Sequence, residues 1–391
     1  MTAPRGFWRR SAAASPFLSG VIASRLEEFM TATAGSEPAF EQWIPLARQV
    51  VRTSLRLGWD DVLEVYTYTP TIPLAEALAL EARRTGSDTH LTLMTDDLWF
   101  TSMRELSTKW LSQPSPVEHA IDETITANIY LGGPADARRM REIPPAKFEA
   151  NAMGGQLQHE PRRRRRVRDI DLSIGRVTPE RAEAYGLDYG KWYASFHRAL
   201  AVDLKEIRRR GAALARKLAG RTVHVTSDAG TDLRFAVKRI PPAVDDGIVS
   251  AADVRRGFVE ATLPAGKVAA AVKQDSANGI ARSTDAIFYG GRTIARPWFR
   301  VEAGRIVEWV AAEHGDLLSR LLRAPKVGSA RLGSFSVGLN PDAEPCMLDN
   351  SIVEDDVGIA LGAHPQLEPR LHDPEVSFSA TLGQCHVDVG R

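Results

Sequence analysis

The fold turns on one stretch: Val62-Leu63-Glu64-Val65-Tyr66-Thr67-Tyr68, then Pro73 opening an Ala- and Leu-rich run that stops at Gly86, then Thr89–Met94. β-Branched and aromatic residues crowd the two flanks, as pleated strands favour. Between them, proline in a helix's first turn and glycine just past its end mark the limits of a helix. Strand, helix, strand with short links is the unit of a parallel sheet, because parallel neighbours need a crossover. Upstream, apolar residues at helical spacing run through Trp43, Leu46, Val50, Leu55 and Leu57 to Gly58. Downstream, Thr126–Leu131 reads as a further strand after another helical stretch. No glycine-rich phosphate loop follows any of these strands; Gly132-Gly133 leads straight into Pro134, so nucleotide binding has no support.

Thr178-Pro179-Glu180 is a helix start, with a hydroxyl cap, proline at the first position and an acid near the positive end of the dipole. A long amphipathic helix follows through Phe196, Leu200, Leu204, Ile207, Gly211, Leu214 and Leu218, closed by Gly220. The grammar then changes. Val223–Thr226 and Leu233–Val237 flank a turn and read as a hairpin, and further short β segments are punctuated at Asp245-Asp246-Gly247, Gly290-Gly291 and Gly304, with one helix from Trp309 to Leu322. The expectation is a flexible N-terminal arm over 1–39, an α/β domain with a parallel sheet over 40–220, and a β-rich domain over 221–391 forming a bent sheet or barrel. A length of 391 residues suits two cores.

Composition narrows the function classes. Apolar residues at 43% and charged residues at 25% are those of a globular protein, not of a disordered, collagen-like or coiled-coil chain. No apolar stretch approaches the roughly 20 residues of a membrane helix. The arm carries Arg5, Arg9 and Arg10 but no continuous apolar segment, so no signal peptide is expected. Cys346 and Cys385 are too few for a disulfide framework, and reduced thiols in the cytoplasm are the default. Six of the 50 Lys and Arg are Arg162–Arg166 and Arg168; the other 44 face 49 Asp and Glu, so the basic character is one local patch. Residues 151–168 read as an exposed, solvated connection. No aromatic residues interleave with the arginines, so nucleic acid is not an expected partner.

The clearest ligand-like pair is His386-Val387-Asp388, because residues two apart in a strand share a face. Imidazole and carboxylate suit Zn, Mn or Fe. His364 and His372 lie within 25 residues, and two histidines with one carboxylate are the ligand set of mononuclear iron(II) oxygenases. The alternative is a surface loop for both, since Pro365, Pro369 and Pro374 surround them. No Gly-x-Ser-x-Gly elbow is present, and Cys385 would point away from His386 across the strand.

The chain resembles the aminopeptidase T type of metallo-aminopeptidases and the related 2,5-dihydroxypyridine 5,6-dioxygenases. The matching stretches are Thr178-Pro179-Glu180-Arg181-Ala182, Gly230-Thr231-Asp232-Leu233, Leu263-Pro264-Ala265-Gly266, Gly338-Leu339-Asn340-Pro341, Ile359-Ala360-Leu361-Gly362 and His386-Val387-Asp388, in family order. The resemblance implies an α/β N-terminal domain, a β-rich domain carrying metals, and a homodimer. It also implies a two-metal centre held by glutamates, histidines, a tyrosine and an aspartate. Carried across, the glutamate positions fall on Lys267 and Ser334, the first histidine on Gly358 and the tyrosine on Pro365, leaving His386 and Asp388. In the dioxygenases a histidine at the place of Ser334 joins the His-x-Asp pair; here His364 would have to substitute.

Three readings follow. One is a one-metal enzyme, with His386, Asp388 and His364 holding Fe(II), Zn or Mn and acting on a small polar or aromatic substrate. Another is a metal-free homologue, either catalytically degenerate or repurposed around Lys267, since a buried lysine can serve as base or imine former. The third is a metal-dependent aminopeptidase acting on short peptides. With the sequence ending three residues past Asp388, an altered or absent metal site is the expectation, with Lys267 and Ser334 as the catalytic candidates.

Overall fold

The computed structural model describes residues 39–323, 330–362, 367 and 378–390. His364 and His372 lie outside the described residues, as does the expected arm except for Ala39. By internal contacts the chain divides into Met1–Gln42 and Trp43–Arg391. In the first unit the Gln42 side-chain amide donates to the Ala39 carbonyl at 3.2 Å.

The second unit opens with the expected helical segment, Ile44–Gln49 running on as a π-helical turn over Val50–Ser54. Strand β1 (Val62–Tyr68), the helix Ile72–Arg84 and strand β2 (Asp88–Met94) then form the strand–helix–strand unit read from the sequence. Strands β3 (Ala127–Tyr130) and β4 (Arg168–Leu172) extend the sheet. After the helices come β5 (Thr222–Thr226), β6 (Asp232–Ala236), β7 (Ala243–Asp245) and β8 (Glu260–Leu263). The order β2-β1-β3-β4-β8 is parallel throughout. The last strand of this sheet therefore comes from beyond Gly220, so the compositional switch there is not an edge of the parallel sheet.

The remaining strands are antiparallel: β9 (Lys267–Ala271), β10 (Asn278–Arg282), β11 (Ile287–Tyr289), β12 (Arg292–Ile294), β13 (Trp298–Glu302), β14 (Arg305–Val310), β15 (Leu332–Gly338), β16 (Asp356–Leu361), β17 (Phe378–Gln384) and β18 (His386–Val389). One sheet runs β14-β13-β10-β6-β5-β18, a second runs β17-β16-β15-β9-β7, and β11 pairs with β12 around Gly290-Gly291, both at positive φ. The rings of Phe235 and Phe335, 4.7 Å apart, belong to the core between the two larger sheets. The architecture is thus α/β with a β-rich region, and no helix among the described residues is long and apolar enough to cross a membrane.

Local signals held where they were short-range. Thr178 caps the helix Pro179–Tyr185, its hydroxyl accepting from the Arg181 amide. The expected long helix is broken into Tyr189–Leu200 and Leu204–Leu218, because Asp203 accepts from the Lys205 and Glu206 amides and caps a new helix. Trp309 lies in β14, and the helix begins later, at Gly315.

The expected connection is helical over 145–158 and 160–165, and Arg163–Arg166 are exposed, but Arg162 is drawn inward. Arg162 bridges Glu64 (2.6 Å) and Asp122, both fully buried. Arg165 donates to the carbonyls of Asp122 and Ile125 at 2.8 Å, and Arg168 to the Leu55 carbonyl and Asp61. Pairing with two buried carboxylates offsets the cost of drawing Arg162 out of water, while Arg163–Arg166 stay exposed.

Candidate functional site

Parallel strands covered by helices on both faces are usually apolar along their whole length. Here they alternate. Leu63, Val65, Ala127, Ile129, Ile170, Leu172, Ala261 and Leu263 are buried on one face. The other face carries Glu64 and Tyr66, Asn128 and Tyr130, Asp169 and Asp171, Glu260 and Thr262. Strand register lines these up as two rows, Glu64–Asn128–Asp169–Glu260 and Tyr66–Tyr130–Asp171–Thr262.

The second antiparallel sheet supplies the opposite wall, and its facing residues are small. Register places Ala243, Ala269, Ser336, Gly358 and Thr381 in one row, and Ala271, Ser334, Ala360 and Ser379 in the next. A row of tiny side chains against a polar sheet face leaves space, and the cleft between the walls has a volume of about 860 Å³. At one end Asp245, Lys267 and Gly338 lie side by side on β7, β9 and β15. A Cβ at 338 would overlap the Val353 carbonyl oxygen, so glycine there lets the segment bearing Asp349 close down on the sheet.

Charge is concentrated at that end. The Lys267 ammonium stands 3.6 Å from Asp349, with side-chain exposures of 25% and 60% because both face the open cleft. Burial works against the Lys267 charge, but Asp349 and Asp245 outweigh it and hold the ammonium above its ordinary range. Burial also pushes Asp349 up, yet Lys267 and hydrogen bonds from Ser351 bring it below the usual carboxylate range. Asp245 remains raised by burial, although Lys267 and the Thr262 amide (2.9 Å) oppose this. In the opposite wall, burial and the neighbouring charge of Glu260 push Asp169 up to about 7, against the partial relief of Arg162 and the Asn128 amide. A carboxyl near 7 in a cleft can both give and take a proton at neutral pH.

Lys267 and Ser334 lie on neighbouring strands of one wall, but Ser334 pairs with Ala271, four residues along β9 from Lys267, and Gly358 pairs with Ser336 between them. His386 and Asp388 are elsewhere. They share an exposed face of β18, as their spacing predicts, but β18 pairs with β5 in the other large sheet, opposite Thr226 and His224. The chain crosses from one sheet to the other at Cys385. Burial, with Asp356 nearby, pushes the Cys385 thiol up to about 11, so it is no thiolate at neutral pH. Neither Asn128 nor Asp169 belongs to a motif read from the sequence. Their signal was the alternation in Ala127-Asn128-Ile129-Tyr130 and Arg168-Asp169-Ile170-Asp171-Leu172, which is unusual for covered parallel strands.

With the cleft described, likeness to known proteins can be placed on it. The family model described as thermophilic metalloprotease (M29) matches residues 41–345. This chain belongs to that family. The match spans both walls as far as β15 and ends before the His386-x-Asp388 pair. Among solved structures, AmpT from Thermus thermophilus is similar at a TM-score of 0.64 and 18% identity, over 89% of this chain and 94% of that one. The 2,5-dihydroxypyridine dioxygenase of Pseudomonas putida is similar at 0.53 and 13% identity, over 90% and 91%. These likenesses are of fold. No curated protein matches by sequence.

A metalloprotease family implies a bound metal, and the described residues do not fit one. No three His, Cys, Asp or Glu side chains among them gather closely enough to hold an ion. In the cleft, a dication beside Asp349 and Asp245 would meet a fixed ammonium, which opposes its binding.

Proposed function

We propose that this member of the thermophilic metalloprotease family works without a resident metal, its cleft taking a small polar molecule that exchanges a proton with Asp169. The observation that carries this is Lys267: a permanent internal cation balances Asp349 and Asp245 where a dication would otherwise be needed. Held protonated, Lys267 serves as an electrostatic partner for negative charge on a bound molecule and not as a nucleophile. Ser336 and Ser334, two and four residues along the same wall, leave room in the cleft. On the opposite wall Asp169, near half-ionised at neutral pH, is the group able to act as general acid or base. The cleft volume suits a small molecule or a short peptide.

Metal analysis of protein purified without chelator tests the reading. Less than about 0.1 equivalent of any transition metal is expected, with a melting temperature indifferent to EDTA. Close to one equivalent of Fe, Zn or Mn, lost on His386→Ala, would restore the one-metal enzyme. Two equivalents with release of leucine from a leucyl anilide would restore the aminopeptidase.

A further inference from the structure

Asn128 is 2% exposed, and its side chain borders the cleft. Its Nδ2 donates to Asp169 Oδ1 at 3.1 Å, whereas its Oδ1 has no hydrogen-bond partner. Where Asp169 is ionised, as it mostly is at pH 8, it sets this orientation, because the amide turned over would place oxygen against carboxylate oxygen. A buried acceptor without a donor is uncommon and costly, and it marks a place where a donor from outside the protein would be favoured.

The neighbours of Asn128 narrow the kind of donor. Along the row, Asn128 Oδ1 and the Asp169 carboxyl offer acceptors on adjacent strands, about 4.8 Å apart. Of the row's side chains only Asn128 carries N–H groups, and one of its two is given to Asp169. A carboxylate or phosphate has no donor to bring, and a hydroxyl brings one. A primary ammonium brings three, together with the charge that buried carboxyls lack.

We infer that the cleft recognises a primary amine, its ammonium seated against Asn128 and Asp169 on the parallel-sheet wall. The inference rests on the reading that this cleft is the working site. The ammonium satisfies the orphan acceptor and neutralises Asp169, which Glu260 otherwise discourages from ionising. Lys267, on the far wall, repels a second cation and so orients the amine toward the Asn128 side.

Isothermal titration of the full chain at pH 8 with propylamine, propan-1-ol and propionate tests it. Propylamine should bind saturably and at least about tenfold more tightly than propan-1-ol, as charge-assisted hydrogen bonds require. Asn128→Leu and Asp169→Asn should each weaken it by about tenfold or more. Asp169→Asn keeps the side chain's shape and guards against misfolding of the first variant, and circular dichroism checks both. Equal binding of amine and alcohol overturns the inference, as does amine binding undiminished in both folded variants. Binding of propionate alone, lost in Lys267→Met, also overturns it while leaving the cleft as the working site. Failure of all three probes overturns the inference and withdraws support from the cleft as well.

Discussion

Replacing Lys267 by methionine removes the charge at the centre of the proposed site and keeps most of the side chain's volume. At 3.6 Å, the attraction to Asp349 is about 4–5 kcal/mol at an effective dielectric of 20. Asp349 is 60% exposed, so screening reduces its share to about 1 kcal/mol. Asp245 is the larger consequence. Its carboxyl is already raised by burial, and Lys267 is the foremost influence opposing that. Deprived of the ammonium it must either take up a proton or stay charged without a partner, at a cost of about 2–3 kcal/mol. A total near 3–4 kcal/mol, set against a melting entropy of about 0.7 kcal/mol/K for some 350 residues, corresponds to a fall of about 4–6 °C.

Differential scanning calorimetry at pH 8 and pH 5 reads the effect. Lys267 is charged at both, since its folded-state pKa lies above the ordinary lysine range and its stabilisation is lost only as pH rises through that value. The deficit of Lys267→Met should shrink at pH 5, where Asp245 protonates at little cost. Lys267→Glu, which gathers three carboxylates, should lose more stability and recover part of it with millimolar Mn²⁺, unlike the methionine variant. A Lys267→Met melting temperature within about 1 °C of the parent at pH 8 would refute the reasoning. The ammonium would then not be the cleft's counter-charge, and the case against a metal would fall with it.

Asp169→Asn should flatten the pH profile of stability. The parent carboxyl sits at about 7 when folded and about 3.9 when unfolded, so stability falls as pH rises from about 4 to about 7, by at most about 4 kcal/mol; urea titrations across that range should show the slope only in the parent. Arg162, Asn128, Glu260 and Asp171 face this carboxyl and set its value. Arg162→Met leaves Glu64 buried with only the Thr92 hydroxyl and Asp122 with only His159, and should cost about 3–5 kcal/mol by urea denaturation, despite the residue's place in a surface-like arginine run. Gly338→Ala should cost about 1–3 kcal/mol by the same measurement, because the new methyl meets a backbone carbonyl. Gly358→Ala meets only the rotatable Ser336 hydroxyl, 2.6 Å from the added Cβ, and should cost less while narrowing the cleft.

What the sequence determined by itself was local. The β1–helix–β2 unit, the β5–β6 hairpin, the Thr178 cap and the Gly290-Gly291 turn follow from backbone sterics and burial period within a few residues. The common face of His386 and Asp388 follows from the same strand period. Their sheet does not, because a single residue, Cys385, carries the chain from the wall containing Lys267 and Ser334 to the other large sheet. The arginines show the same limit. Their density was visible, but Glu64 and Asp122, 98 and 40 residues away, make Arg162 an interior residue. Asn128 and Asp169 were visible as polar letters in two short strands, and only parallel register set them side by side facing a wall of small residues. Local conformation is set by each residue's own neighbours along the chain. A site is assembled by strands whose partners lie dozens of residues apart, and packing of the whole chain chooses those partners.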